Sequence, residues 1–158
     1  PGPRDPDGAP LDPGAAKSLS REARARLLDS GAPYALRLDM AAATRRLNRR
    51  LPLDPLPWGD VILVRKDIGT SYHVAVVTDD ALQGITHVVR GRDLEASTSI
   101  HVLLQTLLGF PVPEYVHHRL ITDKTGHKLS KSLGSKSLRA LRAEGVTPAA
   151  IRQALGFS

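Results

Sequence analysis

The order of apolar segments between residues 61 and 121 constrains the fold more than any other feature of the sequence. Apolar runs flanked by turn residues predict strands at 61–64, 72–77, 86–89 and 115–121. Between the last two runs, apolar residues at 100, 103, 104, 107 and 108 have helical spacing, and Gly109 can end that helix. Strands that alternate with helices form a parallel sheet covered by helices, so the sequence predicts an α/β fold.

The segments on either side complete this prediction. Residues 1–17 are rich in proline and glycine and are expected to form a loop. A helix from Ser18 or Ser20 to Gly31, a strand at 34–38 and a helix at 40–50 follow, before a proline-rich connector. Two helices, at 137–143 and 148–155, come last, and Thr147 is the expected N-cap of the second.

Size and composition allow one domain with a hydrophobic core, or part of a larger protein. The sequence has 158 residues, of which 41% are hydrophobic, and it begins with Pro1, which suggests a piece of a longer chain. It has no cysteine, so disulfides and thiolate metal sites are excluded. Because no apolar run approaches the roughly 18 residues of a membrane span and no signal peptide occurs, we expect a cytoplasmic protein without a membrane partner.

Positive charge is concentrated near the end of the sequence. The formal net charge is +6, and residues 119–152 contain eight lysines and arginines against two acidic residues. A second basic cluster consists of Arg45, Arg46, Arg49 and Arg50. A polyanionic partner is one interpretation, and a solvated helix face is the other. Since only 4% of the residues are aromatic, contacts to a phosphate backbone fit such a partner better than base stacking does.

A short lysine- and serine-rich segment, which we call the Lys/Ser loop, consists of Lys128, Leu129, Ser130, Lys131 and Ser132. Its two ammonium groups and two hydroxyls can close over a polyphosphate, because lysine supplies a mobile point charge and serine a small hydrogen-bond donor. An ordinary solvated loop has a similar composition. The segment is therefore a candidate polyphosphate-binding loop.

Arg90 and Tyr72 form a candidate site for a small carboxylate. Arg90 ends the strand predicted at 86–89, beside Gly91, which allows close approach to the backbone. Tyr72 opens the strand predicted at 72–77 and could direct its hydroxyl to the same edge of the sheet. A guanidinium and a neutral donor suit a carboxylate. An arginine in a surface ion pair and a packed tyrosine are the simpler alternatives.

Other catalytic patterns are weak or missing. Asp79 and Asp80 are interpreted as turn and capping residues rather than as paired carboxylates or magnesium ligands, because adjacent side chains point in different directions. The six histidines show no metal-ligand spacing, and His117 and His118 are expected on opposite faces of a strand. The sequence contains no P-loop and no nucleophile elbow of a serine hydrolase. We therefore assign no metal ligand.

Three motifs, YHVAVVTDD, GITHVVRGRDL and KLSKS, occur in this order and together resemble the class I glutamyl-tRNA synthetase-like enzymes. The resemblance covers residues 59–158 and, more weakly, residues 9–40. It implies the carboxyl-terminal half of a Rossmann-type catalytic domain at 67–158. Part of an inserted acceptor-binding α+β subdomain is expected at 18–66, and a flexible remnant of a zinc-site-like segment at 1–17.

Within this family the sequence is most similar to the short glutamyl-Q tRNA(Asp) synthetases, which lack an anticodon-binding domain. The sequence stops about twenty-five residues after the Lys/Ser loop, and Val76 stands where longer members usually have an asparagine. The resemblance implies that L-glutamate and ATP, with Mg²⁺, give glutamyl-adenylate. Glutamate is then transferred to queuosine at the wobble position of tRNA(Asp). We expect a monomer.

Motif by motif, the resemblance assigns Tyr72 and Arg90 to L-glutamate and residues 128–132 to ATP. It assigns Lys131 to catalysis, through stabilisation of charge on the α-phosphate and pyrophosphate. The family's ATP-gripping His-x-Gly-His signature has no match, so we expect half of the adenylation site here and no activity from this chain in isolation. Zinc-binding members have a cysteine where residues 12–16 have none, so we expect no zinc in this chain.

Two alternatives stay open. One is a fragment of a glutamyl-tRNA synthetase, which charges the 3′ end of tRNA(Glu). The other is a non-catalytic RNA-binding remnant that kept the fold and the basic residues. Tyr72, Arg90 and Lys131 argue against the remnant, because binding to a phosphate backbone needs no glutamate pocket.

Overall fold

The computed structural model describes residues 2–47, 50–123, 125–130 and 134–157. Along the chain these form α1 (Arg21–Asp29), β1 (Leu36–Arg37), α2 (Met40–Arg46), β2 (Ile62–Val64), α3 (Tyr72–Leu82), β3 (His87–Gly91), α4 (Thr98–Leu108), β4 (Glu114–His118), α5 (Leu138–Ala143) and α6 (Pro148–Ala154). The chain divides into two compact units. The first unit contains Pro1–Arg90 and Leu94–His117, and the second contains Gly91–Asp93 and His118–Ser158.

Two small sheets carry the strands. β1 and β2 pair antiparallel, with Leu36 opposite Val64 and Arg37 opposite Ile62. β3 and β4 pair in a separate sheet. Between them the chain passes through α4, the kind of helical crossover that a parallel pair requires. Gly109 ends α4 in the left-handed conformation, at φ 69°, as its position in the sequence predicts. The predicted α/β class is confirmed.

The core of the first unit is built around α4. Ile100 and Leu103 have no exposed surface, and burial of each such side chain contributes about 1.5–3 kcal/mol. They pack with Met40, Ala43, Trp58, Val61, Val77 and Leu104. The indole Nε1 of Trp58 also donates a hydrogen bond to the carbonyl oxygen of Ala96, at 3.3 Å. Residues from α2 and α3 therefore share one core with α4.

The strand predicted at 72–77 is wrong, because these residues begin α3. The hydroxyl of Ser71 accepts a hydrogen bond from the backbone N–H of Val74 at 3.5 Å and caps the helix. Val77 is completely buried beside α4, so packing on one face outweighs the strand preference of this valine-rich run. The turn predicted at Asp79 and Asp80 is also wrong, since both residues lie within α3.

The second unit contains a hairpin-like segment and two short capped helices. Thr122 and Lys128 form an antiparallel bridge, and the N–H of Leu129 donates to the carbonyl oxygen of Ile121 at 2.9 Å. Ser137 caps α5, and Thr147 caps α6 by accepting from the N–H of Ala150 at 3.2 Å. Both predicted closing helices are confirmed. None of the helices described in either unit has the length and apolar character needed to cross a bilayer.

Candidate functional site

Arg90 lies near the end of β3 and is held by side chains from α4 and β4. Its Nη2 donates to the hydroxyl of Thr98 at 2.7 Å, and its Nη1 lies 2.9 Å from Nδ1 of His101. Its Nε donates a longer hydrogen bond to Nε2 of His117, at 3.5 Å. The guanidinium carbon lies 5.0 Å from the centre of the Tyr115 ring. The cation is therefore fixed in orientation on several sides.

None of the described side chains that contact Arg90 is acidic. Within the described residues, the guanidinium forms no ion pair with an aspartate or glutamate. Three of its five N–H groups have the partners given above, which leaves two for a ligand. A partly buried charge is normally matched by an opposite charge. This arrangement can accept an anionic ligand.

His101 is the most buried polar member of this cluster, with 0% of its surface exposed. Burial, followed by the nearby charge of Arg90, lowers the pKa of His101 to about 3, so the imidazole is neutral at pH 7. Its Nε2 lies 3.1 Å from Nδ1 of His73 on α3. Burial also lowers the pKa of His73 below its ordinary value. Two neutral histidines therefore extend the cluster from Arg90 to α3.

Tyr72 reaches the same cluster from the first turn of α3. Its ring makes edge contacts with the rings of His73 and His101, each at a centroid distance of 5.7 Å. Tyr72 is 52% exposed and, with His73, lines a cavity of about 700 Å³ in the first unit. Tyr72 and Arg90 thus both contact His101. The two residues therefore lie near each other, as predicted, although Tyr72 begins a helix and not a strand.

Tyr115 contacts the Arg90 guanidinium and is itself anchored by a side chain of α4. Its hydroxyl accepts from Nε2 of Gln105 at 3.1 Å and donates to Oε1 of the same amide at 3.3 Å. Burial raises the pKa of Tyr115 above its ordinary value. The Tyr115 ring stacks on His117 at a centroid distance of 6.3 Å. β4 therefore presents His117 to the cluster, while His118 is exposed, as predicted for neighbours on a strand.

The Lys/Ser loop belongs to the second unit. Lys128 forms an ion pair with Asp93, and the Lys128 ammonium holds the pKa of Asp93 below its usual value. Leu129 and Lys128 line a cavity of about 410 Å³ in this unit. The N–H of Ser130 donates to the hydroxyl of Ser135 at 3.0 Å, and the N–H of Ser135 donates to the carbonyl oxygen of Ser130 at 3.1 Å. Lys131 and Ser132 lie outside the described residues.

Asp123 organises the turn that leads into the Lys/Ser loop. One carboxylate oxygen accepts from the N–H of Thr125 at 2.8 Å, from its hydroxyl at 2.6 Å, and from the N–H of His127 at 3.0 Å. These hydrogen bonds, that of the Thr125 hydroxyl first, lower the pKa of Asp123. In the described part of the chain, no group of three or more histidine, aspartate or glutamate side chains is placed to hold a metal ion.

Sequence reasoning missed most of the side chains around Arg90. Considering the histidines only as metal ligands overlooked their capacity to accept hydrogen bonds from a guanidinium. One signal was available: His101 lies one turn after Thr98, directly between the apolar residues Ile100 and Val102 of α4. A polar side chain buried in such a segment needs a hydrogen-bond partner. The residues missed are His73, Thr98, His101, Tyr115 and His117.

Comparison with known proteins gives a consistent family assignment. Residues 13–157 match the family described as tRNA synthetases class I (E and Q), catalytic domain. A glutamyl-Q tRNA(Asp) synthetase of Rhodobacter capsulatus is 56% identical over 99 residues, which are 63% of this chain and 36% of that protein. A glutamate–tRNA ligase of Aquifex aeolicus is 46% identical over 94 residues, which are 60% of this chain and 20% of the ligase.

A solved structure agrees with these sequence matches. The glutamate tRNA ligase of Elizabethkingia meningosepticum, crystallised in complex with its amino acid, superposes with a TM-score of 0.54 at 29% identity. The match covers 75% of this chain and 25% of the ligase. This chain therefore spans little more than a third of the first relative, 36%, and smaller fractions of the two ligases, 20% and 25%.

Proposed function

This chain belongs to the class I tRNA synthetases of the glutamate and glutamine type, and we propose that the complete protein activates L-glutamate with ATP and transfers it to queuosine in tRNA(Asp). In the first step a glutamate carboxylate attacks the α-phosphate of ATP, giving glutamyl-adenylate and releasing pyrophosphate. In the second step the acceptor on the tRNA takes the glutamyl group as an ester and AMP leaves. Mg²⁺ accompanies the nucleotide and offsets the charge of its phosphates.

The observation that carries the glutamate proposal is the unbalanced charge of Arg90. A guanidinium held by Thr98, His101 and His117, with two N–H groups left over, suits one carboxylate of the substrate. Glutamine offers an amide in place of the second carboxylate and leaves the cation without a counter-charge, so the site favours glutamate. Tyr72 would add its hydroxyl as a neutral donor.

The Lys/Ser loop is proposed to bind ATP. Lys128, Leu129, Ser130, Lys131 and Ser132 contribute two ammonium groups, two hydroxyls and the loop backbone. Lys131 would act in the adenylation step by stabilising the negative charge that develops on the α-phosphate and the departing pyrophosphate. Because Lys128 is paired with Asp93, a polyphosphate would compete with that carboxylate for the Lys128 ammonium group.

The tRNA is proposed to contact the basic residues of the second unit. Arg139, Arg142 and Arg152 line one cleft together with Leu138, Val146 and Ile151. Among the residues that the structure describes, these three arginines form no ion pair, whereas Lys136 is paired with Glu144 at 2.6 Å. Unpaired guanidinium groups on one face suit a phosphate backbone, and their binding should weaken as salt is raised.

Replacing Arg90 tests the glutamate site directly. We expect Arg90→Ala to weaken glutamate binding by roughly 2–4 kcal/mol, because a partly buried charge pair is lost. The measurement is the KM for glutamate in glutamate-dependent ATP–pyrophosphate exchange by the complete protein. Arg92→Ala, which removes an exposed arginine two positions later, is the matched control. An unchanged KM in Arg90→Ala would contradict the proposed role.

A second candidate function is charging of the 3′ end of tRNA(Glu), favoured by the identity of 46% to the Aquifex ligase. Both products are esters, so nuclease mapping of labelled glutamate on the tRNA separates them. Label at the 3′-terminal adenosine would reject the queuosine proposal. The third candidate, an RNA-binding remnant, predicts no glutamate-dependent ATP turnover by the complete protein.

A further inference from the structure

The geometry around Arg90 points to a role for His101 that none of the sequence motifs assigns. We propose that His101 is a positioning residue, which orients the Arg90 guanidinium for the substrate carboxylate while carrying its own proton on Nε2. His73 fixes that tautomer because its Nδ1 accepts a hydrogen bond from the Nε2–H of His101. This proposal rests on the glutamate-binding role of Arg90 given above, but its tautomer can be tested separately.

The hydrogen-bond donors and acceptors determine the tautomer. Arginine has only donors, so Nδ1 of His101, at 2.9 Å from Nη1 of Arg90, has to be the acceptor. A buried imidazole beside a cation is neutral and carries one proton. That proton is then on Nε2, which lies 3.1 Å from Nδ1 of His73. The same reasoning places the proton of a neutral His73 on its Nε2.

The position of His101 on α4 explains how it orients the guanidinium. Thr98 precedes it by three residues, so both side chains lie on the same face of the helix. Thr98 accepts from Nη2 at 2.7 Å, and His101 is paired with Nη1 at 2.9 Å. Two acceptors on one rigid helix therefore fix the rotation of the guanidinium plane. Without His101, Nη1 of Arg90 would lose its acceptor, and the guanidinium would be free to rotate away from the substrate.

A merely structural role for His101 has to be distinguished from this one. A histidine with a purely structural role hydrogen-bonds to any partner within reach in the core. Its removal lowers the free energy of unfolding without a selective effect on the KM for glutamate. A positioning role has a different consequence. Loss of the hydrogen bond between Arg90 and Nδ1 of His101 should raise the KM for glutamate. The hydrogen bond from Nε2 to His73 affects this KM only by fixing the tautomer of His101. Two substitutions separate the two nitrogen atoms.

His101→Asn places an amide oxygen near the position of Nδ1, and His101→Gln places its amide near the position of Nε2. We expect His101→Asn in the complete protein to raise the KM for glutamate less than about threefold. His101→Gln should raise it about tenfold or more, since one charge-assisted hydrogen bond to Arg90 is lost. The kcat and the KM for ATP should change little in either variant. Equal KM values in the two variants would overturn the proposal.

The tautomer is tested without any enzymatic activity. In the complete protein labelled with ¹⁵N in histidine, long-range ¹H–¹⁵N spectra at pH 7 distinguish a protonated Nε2 from a protonated Nδ1. We expect the Nε2–H form for His101, whose ring signals are assigned by correlation with its own backbone resonances, independently of either variant. An Nδ1–H tautomer or a doubly protonated ring would overturn the proposal even if both variants failed to fold. If Arg90→Ala leaves the glutamate KM unchanged while the Nε2–H form is found, the glutamate-binding proposal fails and the tautomer assignment stands.

Discussion

The buried imidazole of His101 should make the stability of the first unit depend on pH between 7 and 5. The pKa of His101 in the folded protein is lowered to about 3, whereas an unfolded histidine titrates near about 6.5. The unfolded chain therefore takes up a proton that the folded chain excludes, and the free energy of unfolding falls as the pH falls. With these two pKa values, linkage gives a loss of about 2 kcal/mol between pH 7 and pH 5.

Urea titrations at pH 7, 6 and 5 measure this loss. Trp58 is the single tryptophan of the sequence, lies in the first unit and packs 6.2 Å from the His73 ring, so its fluorescence reports that unit. His101→Asn is the control, because its side chain does not titrate. Carboxylates with lowered pKa values, such as Asp67 at about 2, ionise mostly below this window. The same pH dependence in both proteins would refute the reasoning, since His101 would then contribute nothing to it.

Two further predictions concern the second unit. In Gly91→Ala the new Cβ would lie 2.9 Å from Leu120 Cδ2 and press on the Asp93 carboxylate, so we expect thermal melts to show a loss of about 1–3 kcal/mol. Gly2→Ala, which meets open space, is the control, and melting curves that coincide for the two variants would contradict this prediction. Lys131→Ala should lower the rate of adenylate formation by the complete protein with little change in melting temperature, whereas Lys136→Ala, which breaks an exposed ion pair, should leave that rate unchanged. A main effect of Lys131→Ala on thermal stability would exclude its proposed catalytic role.

Local sequence signals predicted most of the elements because several carry their own caps. Gly109 at the end of α4 and Thr147 before α6 act where the sequence places them. The failure at α3 has a physical reason. The run Val74-Ala75-Val76-Val77 has the composition of a strand, and only its packing against α4, together with the Ser71 cap, makes it helical. Whether such a run packs as a helix depends on residues that are distant in the sequence.

Of the side chains around Arg90, the sequence named only Arg90 and Tyr72 as candidates. Both contact His101 in the structure, and their roles stay predictions. The surrounding acceptors were missed because hydrogen bonding between distant residues has no fixed spacing in a sequence. The roles of Lys131, Ser132 and the other named residues stay predictions, as do the domain boundaries at 17 and 66.

The core shared by α2 and α4 limits how freely this part of the chain could be exchanged between relatives. Met40, Ala43 and Trp58 precede residue 67, yet they pack on Ile100 and Leu103, close to the two side chains of α4 that hold Arg90. A chimera that replaced residues 36–64 would also alter the packing surface behind Thr98 and His101. In evolution or engineering, a replacement of these residues therefore preserves the observed orientation of Arg90 only if it brings a matching set of apolar side chains.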